Sequence, residues 1–259
     1  MQVVILGCGT AGGTPRIGND WGACDPTEPR NQRRRASVLL RDGDTEILID
    51  ASPDLRQQGL DAGIERLDAV LFTHAHADHA HGIDDLRFIA IRNGGPVDAW
   101  ADPETLAQLE QRFGYTFEQD AGRLYPPILN GRQIVGPFEV AGSEITPFRQ
   151  KHGPIGTTGF RVGGVAYSTD VQDLSDEAFE VLAGVDTWIV DCLQRHPHPT
   201  HAHLELTLSW IERLRPRRAV LTHMNTSLDY QSLLDELPTG VEPGYDGMVL
   251  DVSADPSVP

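Results

Sequence analysis

A mixed α/β (α+β) fold in four layers, an αββα sandwich, is what this sequence predicts, on three observations. Both halves of the chain carry several short segments of strand length rich in Val, Ile and Leu. Segments in which apolar residues recur every three or four positions follow each strand-rich stretch. Glycine and proline punctuate the joins. Such elements bury their apolar faces by stacking two sheets and covering the outer faces with helices. The 259 residues, 39% of them hydrophobic, suffice for one large core. Residues 1–252 read as a single domain, ahead of a short, proline-containing flexible tail at 253–259.

In the first half, strands are predicted at Val3–Gly7, Ser37–Arg41, Glu46–Asp50 and Ala69–Thr73, the last a continuous apolar run suited to burial on both faces. Helices follow over Ile83–Arg92 and Pro103–Phe113, with Pro103 well placed in a first turn. In the second half, strands are predicted at Phe138–Val140, Glu144–Phe148, Thr158–Val162, Val165–Ser168, Trp188–Asp191 and Ala219–Thr222. The helices there are Asp176–Ala183, Leu204–Leu214 and Leu228–Leu237. Periodicity by itself leaves the strand order open.

With 38 acidic against 21 basic residues, the net charge of -17 opposes non-specific binding to long nucleic acids or anionic lipid, and leaves small molecules as the expected partners. One basic cluster, Arg30 with Arg33-Arg34-Arg35, reads as a solvated turn or a phosphate contact, the solvated turn being the expectation. Cys8, Cys24 and Cys192 are too few and too scattered for a disulfide framework or a zinc knuckle, which points to a reducing cytoplasm. No targeting segment or membrane-spanning apolar run is evident, so the expectation is a soluble, unprocessed protein.

The chemistry concentrates in Thr73-His74-Ala75-His76-Ala77-Asp78-His79, an H-x-H-x-D-H run directly after a buried strand. Alternate residues at a strand's end point the same way, so His74 and His76 can converge on one metal ion. Asp78 and His79 lie where the chain turns towards a helix and can face a second ion. Imidazole with carboxylate suits zinc, manganese or iron. A histidine-rich surface loop is the bland alternative, yet such a loop seldom interleaves only alanine and threonine or caps an apolar strand. Three further candidates, His152, Asp170 and His223, fall at strand ends or turns far downstream.

These features resemble the metallo-β-lactamase superfamily over nearly the whole chain, and within it the PhnP-like phosphoribosyl cyclic phosphodiesterase group. The resembling residues are Leu6 to Pro15 (LGCGTAGGTP), Leu48-Ile49-Asp50-Ala51, the H-x-H-x-D-H run, Ser168-Thr169-Asp170, Pro199-Thr200-His201, Leu221-Thr222-His223 and Tyr245-Asp246-Gly247-Met248. The resemblance implies two divalent metal ions per chain, zinc or manganese, with iron also accepted. One would be held by His74, His76 and His152, the other by Asp78, His79 and His223, with Asp170 bridging. His201 is implied as the general acid and Asp78 as a catalytic residue besides a ligand. Asp50 corresponds to a carboxylate that orients a ligating histidine, and Asp191 can act similarly. An aspartate at position 170, where the lactamase branch often has cysteine, argues against antibiotic degradation.

His196, His198 and His203 read as exposed loop or helix-start histidines, with His203 a substitute for His201, and His81 as packing or solvent-exposed. The loop from Gly7 to Pro15 lacks the spacing of a dinucleotide fingerprint, leaving a tight turn alone or a turn that touches ligand. The lone cysteine in Trp21–Asp25 departs from the cysteine cluster of PhnP-like proteins, so no structural zinc is expected. The resemblance implies a phosphodiesterase for a small cyclic or nucleotide-like substrate, 5-phosphoribosyl 1,2-cyclic phosphate above all, and a homodimer as in many relatives. A tRNA 3′-processing nuclease, a thioester hydrolase and a non-catalytic metal-binding carrier protein are the alternatives.

Overall fold

Alternation along the strands decides the layering. The structure, a computed structural model, describes residues 1–117 and 126–252, so the tail expected at 253–259 lies outside the described residues. In chain order the strands of the first half are β1 Gln2–Gly7, β2 Ser37–Asp42, β3 Thr45–Ile49, β4 Ala69–Leu71, β5 Val97–Ala101 and β6 Leu129–Gln133. Those of the second are β7 Phe138–Val140, β8 Ser143–His152, β9 Ile155–Val162, β10 Val165–Ser168, β11 Asp173–Leu174, β12 Thr187–Asp191, β13 Arg218–Thr222, β14 Val241–Pro243 and β15 Val249–Asp251. The helices are α1 Leu55–Ala62, α2 Ala77–Ala80, α3 Leu86–Asn93, α4 Pro103–Phe117, α5 Asp176–Leu182, α6 Leu204–Leu214 and α7 Tyr230–Glu236.

One sheet runs β15-β1-β2-β3-β4-β5-β6 and the other β11-β8-β9-β10-β12-β13-β14, with β7 paired to β8. On the first sheet Val3, Ile5, Val38, Leu40, Ile47, Ile49 and Leu71 join the core that contains Phe160, Tyr167, Trp188 and Val190 of the second. Their neighbours Val4, Leu6, Leu39, Leu48, Val70 and Ala99 point the other way, into a second core closed by Leu55, Leu86, Ala90, Leu106 and Leu109 of α1, α3 and α4. On the far side, Phe179 and Leu182 of α5 and Trp210 and Ile211 of α6 pack onto the second sheet. These are two sheets flanked by helices, the αββα layering expected from the sequence. Parallel pairing of β3 with β4, and of β12 with β10 on one side and β13 on the other, points these strand ends the same way.

The structure redraws several elements. The helix expected at Ile83–Arg92 is a 3₁₀ turn, Ile83–Asp85, followed by α3. It starts from Gly82, whose N–H donates to Ala51 O at 2.8 Å and where a Cβ would lie 1.9 Å from Ser52 O. α4 runs on to Phe117 through a kink at Phe113. β4 stops at Leu71, two residues short of expectation, because the Thr73 N–H is taken by the Asp50 side chain instead of a ladder partner. β5, β6, β11, β14, β15, α1 and α2 were not foreseen.

Candidate metal centre

The centre is built from the turns that follow β3, β4, β10 and β13, with β8 and β12 adding their last residues. Asp50 follows β3 in the left-handed region (φ 64), which turns its carboxylate inward and buries it completely. It accepts the Thr73 N–H at 2.8 Å, the Thr73 hydroxyl at 2.9 Å and His79 Nδ1 at 2.7 Å. Since the hydroxyl proton is committed to Asp50, the Thr73 oxygen accepts from His74 Nδ1 at 3.0 Å. His152, the last residue of β8, donates Nδ1–H to Thr200 O at 2.8 Å. Three imidazoles therefore carry their proton on Nδ1 and present the Nε2 lone pair to the centre.

Asp170 follows β10, also left-handed (φ 51) and buried, and its two oxygens face different partners. Oδ1 lies 3.0 Å from His79 Nε2 and 3.3 Å from His223 Nε2. Oδ2 lies 3.7 Å from His74 Nε2 and 3.6 Å from His152 Nε2. Asp78 Oδ2 stands 3.4 Å from His79 Nε2 and 3.5 Å from His223 Nε2. Ligand atoms of His74, His76, His152 and Asp170 all lie within 4.8 Å of one another, as do those of Asp78, His79 and His223.

The donor set fits a pair of divalent cations. His74 Nε2 and His79 Nε2 are buried with no hydrogen-bond partner, aimed at carboxylate oxygens that have no proton to offer at neutral pH. Lone pair facing lone pair in a dry interior is relieved only by a proton or a cation between them. Without a cation the carboxylates recruit protons. Burial opposes charge on His223, yet Asp170, Asp78 and Asp191 outweigh it and hold its pKa up to about 9. His79 is raised in the same way by Asp170, Asp50 and Asp78 against its burial. Burial lowers His74, His76 and His152 below the usual imidazole range. Burial also works against the charge of Asp78 and Asp170, but the neighbouring histidines win and keep both well below the usual carboxylate range.

Beside the cluster, Asp191 ends β12. Its Oδ2 accepts the Val171 N–H at 2.9 Å and His201 Nδ1 at 3.1 Å. His201 stacks on His223 with ring centroids 5.0 Å apart, and its Nε2 lies 3.8 Å from Asp170 Oδ2. The cluster opens into a cavity of about 420 Å³ lined also by Thr10, Ala11, Pro154, Ile155, Leu193 and His198. Thr10 and Ala11 bring the glycine loop to the cavity wall through a turn closed by Gly13 N–H to Thr10 O at 2.8 Å.

Other expectations meet mixed outcomes. His81 is exposed at the end of α2, edge-on to Phe113, His196 is exposed, and His203 precedes α6, all outside the cluster. His198, expected as an exposed loop residue, is half-buried and lines the cavity. The basic cluster is not a solvated turn. Arg33 is buried, donating to Leu228 O at 2.7 Å, Asn31 Oδ1 at 3.2 Å and Asn225 O at 3.3 Å. Arg30, Arg34 and Arg35 pair with Glu28, Asp61 and Asp54. The Thr200 carbonyl and the Thr73 hydroxyl were not singled out from sequence: a backbone acceptor leaves no residue signature, and Thr73 is marked only by preceding His74.

The profile described as a beta-lactamase superfamily domain matches residues 45–224, most of the chain and all of the cluster residues. The chain belongs to the metallo-β-lactamase superfamily. Within that superfamily it is similar to a structure described as a new diphosphatase from the PhnP family, with 33% identity, 96% of each chain covered and a TM-score of 0.89. It is 34% identical over 255 residues, 96% of this chain, to a protein of Porphyromonas gingivalis named octanoyltransferase. The chain spans about half (51%) of that relative's length, so the acyl transfer in its name remains a statement about that longer protein. Zinc-bound PqqB from Methylobacterium extorquens shares the fold, with a TM-score of 0.76 at 22% identity over 97% of this chain and 100% of that one. Membership of the metallo-β-lactamase superfamily places the His/Asp cluster in a fold that binds divalent metal. Among the described residues no helix is long and apolar enough to cross a membrane.

Proposed function

We propose that this chain is a metal-dependent hydrolase, a dinuclear phosphodiesterase acting on a small cyclic or nucleotide-like phosphodiester, with 5-phosphoribosyl 1,2-cyclic phosphate as the leading substrate. One observation carries the reading: Asp170 turns one oxygen to His79 and His223 and the other to His74 and His152, an arrangement suited to two cations sharing a carboxylate. In this reading His74, His76 and His152 would hold one ion and Asp78, His79 and His223 the other, with Asp170 available to both. Zinc and manganese are the leading candidates, with iron accepted by the same donors. Bound there, the ions supply an activated water and positive charge against the phosphoryl oxygens.

This chain's own residues do the rest. Asp78, partly exposed at the cavity, orients the attacking water. His201 protonates the departing oxygen through Nε2, while Asp191 fixes its proton on Nδ1 and stabilises the charged imidazole. A cavity of about 420 Å³ suits a small substrate, and the net charge of -17 disfavours long nucleic acid and anionic membranes. A cytoplasmic home and a homodimer belong to the same proposal.

A second reading has one specific support, the likeness to the PhnP-family diphosphatase. A diphosphate offers the same phosphoryl centre with a phosphate as leaving group. The test is a panel on the full chain loaded with zinc or manganese: cyclic phosphoribosyl phosphate, bis(p-nitrophenyl) phosphate, a dinucleotide diphosphate, lactoylglutathione and precursor tRNA. Turnover of the two diesters supports the proposal. Turnover confined to the diphosphate supports the second reading, and turnover of lactoylglutathione or tRNA with both phosphodiesters untouched overturns the first.

A further inference from the structure

Four histidines crowd residues 196–203, and the structure sorts them. His201 faces the cluster, His196 is exposed and His203 precedes α6. His198 sits between Pro197 and Pro199, which restrict the backbone on both sides. Its ring centroid is 5.3 Å from that of His201, whose ring in turn stacks on His223 at 5.0 Å. The three rings thus touch in sequence, His223 to His201 to His198, and all three residues line the cavity.

The protonation of His198 follows from its neighbours. Its Nδ1 lies 3.4 Å from the Thr200 N–H and 3.3 Å from the Thr200 hydroxyl, and a backbone N–H can only donate. Nδ1 is therefore an acceptor, and the neutral ring carries its proton on Nε2. Burial, then the nearby His201, lowers its pKa against a smaller pull from Asp191, which agrees with a neutral ring. Among the described residues its Nε2–H has no hydrogen-bond partner, and the residue lines the cavity.

We infer that His198 is a substrate-binding residue, donating Nε2–H to an oxygen of the leaving group, either a sugar hydroxyl or a distal phosphate next to the bond being cut. The inference rests on the phosphodiesterase reading, because it is His201 as acid that makes its side of the cavity the leaving-group side. A group one ring further out than His201 meets the atoms beyond the departing oxygen. His198 then selects substrates whose leaving group carries an oxygen acceptor beside the scissile bond.

The test compares wild type, His198→Ala and His198→Gln as full-length, metal-loaded proteins, the glutamine keeping an N–H donor on a side chain of similar reach. Cyclic phosphoribosyl phosphate offers an acceptor beside the bond, whereas bis(p-nitrophenyl) phosphate does not. The alanine variant is expected to lose about tenfold in kcat/KM on the first, the worth of one neutral hydrogen bond, and to stay within about twofold on the second. Calorimetric binding of ribose 5-phosphate should weaken about tenfold in the alanine variant and recover to within about threefold in the glutamine variant. Equal losses on both substrates, or unchanged binding of ribose 5-phosphate by the alanine variant, overturn the assignment. If wild type binds ribose 5-phosphate yet cleaves neither diester, the phosphodiesterase reading falls alone and calorimetry decides on His198. If it neither binds nor cleaves, both fall.

Discussion

Replacing Asp50 separates what holds the fold from what aims the metal ligands. Asp50 is fully buried and receives three donors, the Thr73 N–H, the Thr73 hydroxyl and His79 Nδ1–H. Alanine would strand all of them in a dry interior, at about 1–3 kcal/mol each, so Asp50→Ala should lose on the order of 5 kcal/mol and fold poorly. Asparagine is the informative change, since it tolerates the left-handed backbone at φ 64 and keeps one carbonyl for the Thr73 N–H. Its amide nitrogen then stands where Oδ2 accepted from His79, so the ring must accept on Nδ1 and move its proton to Nε2. That proton points at Asp170 Oδ1, 3.0 Å away, and removes the imidazole from the donor set. The expected outcome for Asp50→Asn is a stability loss of about 1 kcal/mol in metal-free protein, against a fall of about 10–100-fold in affinity for one of two divalent ions. The assay is competition of zinc or manganese against a chromophoric chelator, paired with urea unfolding of chelated protein. Two ions bound as tightly as in wild type, or an affinity loss matched by several kcal/mol of lost stability, would refute the reasoning.

Three other outcomes are expected. His201→Ala should lower kcat about 10²–10⁴-fold on cyclic phosphoribosyl phosphate, whose departing alkoxide needs a proton, with little change in metal content, since removal of a general acid costs about that much; a phosphomonoester-release assay plus metal analysis checks it, and loss of both ions would place His201 among the ligands instead. Arg33→Met, which takes the guanidinium from Leu228 O and leaves Asn31 Oδ1 with the Tyr230 N–H alone, should cost about 2 kcal/mol in urea unfolding, and Arg33→Lys should not restore it because one ammonium cannot span the same acceptors. In chelated protein His223 is held protonated up to about 9, so its contribution is complete below 6.5 and disappears as pH rises through 9, a change of about 3 kcal/mol. Thermal melts of chelator-treated protein should therefore fall between pH 6.5 and 9, whereas melts of metal-loaded protein should not follow that decline.

Much of the centre was legible because its chemistry is written in contiguous residue types. The run His74 to His79 announces itself by composition and by following an apolar strand, and Asp191 ends the strand TWIVD, His223 directly follows the strand RAVLT and Asp170 comes two residues after the buried strand VAYS. What stayed hidden depends on partners distant in sequence. Arg33 reads as part of a charge run, yet its burial is decided by the carbonyls of Asn225 and Leu228, nearly two hundred residues away. β6, with the sequence LNGRQ, carries almost no strand signal and exists through parallel pairing with β5. α1 contains Gly59 and mostly polar residues, and β14 and β15 are only three residues long, too short for any periodicity to register. His196 and His198 each precede a proline, and only the Thr200 contact and the cavity wall tell them apart.

The backbone at the centre explains why this arrangement favours a cation over an empty cluster. Among the described residues six non-glycine positions have positive φ, and three of them are Asp50, Asp170 and His223. Asp50 and His223 follow a strand directly and Asp170 follows one residue later, each where a left-handed residue turns the chain. That conformation costs roughly 1–2 kcal/mol per residue, and here it also brings carboxylates and imidazole lone pairs face to face. The core answers Asp50 with the Thr73 N–H, the Thr73 hydroxyl and His79 Nδ1–H, and Asp170 Oδ1 with the Thr169 hydroxyl at 2.8 Å, but among the described residues Asp170 Oδ2 accepts no hydrogen bond and faces the Nε2 atoms of His74 and His152. A divalent cation held beside Asp170 would cancel that repulsion, so the rigid turns that cost the metal-free chain stability would be the ones that preorganise it for binding.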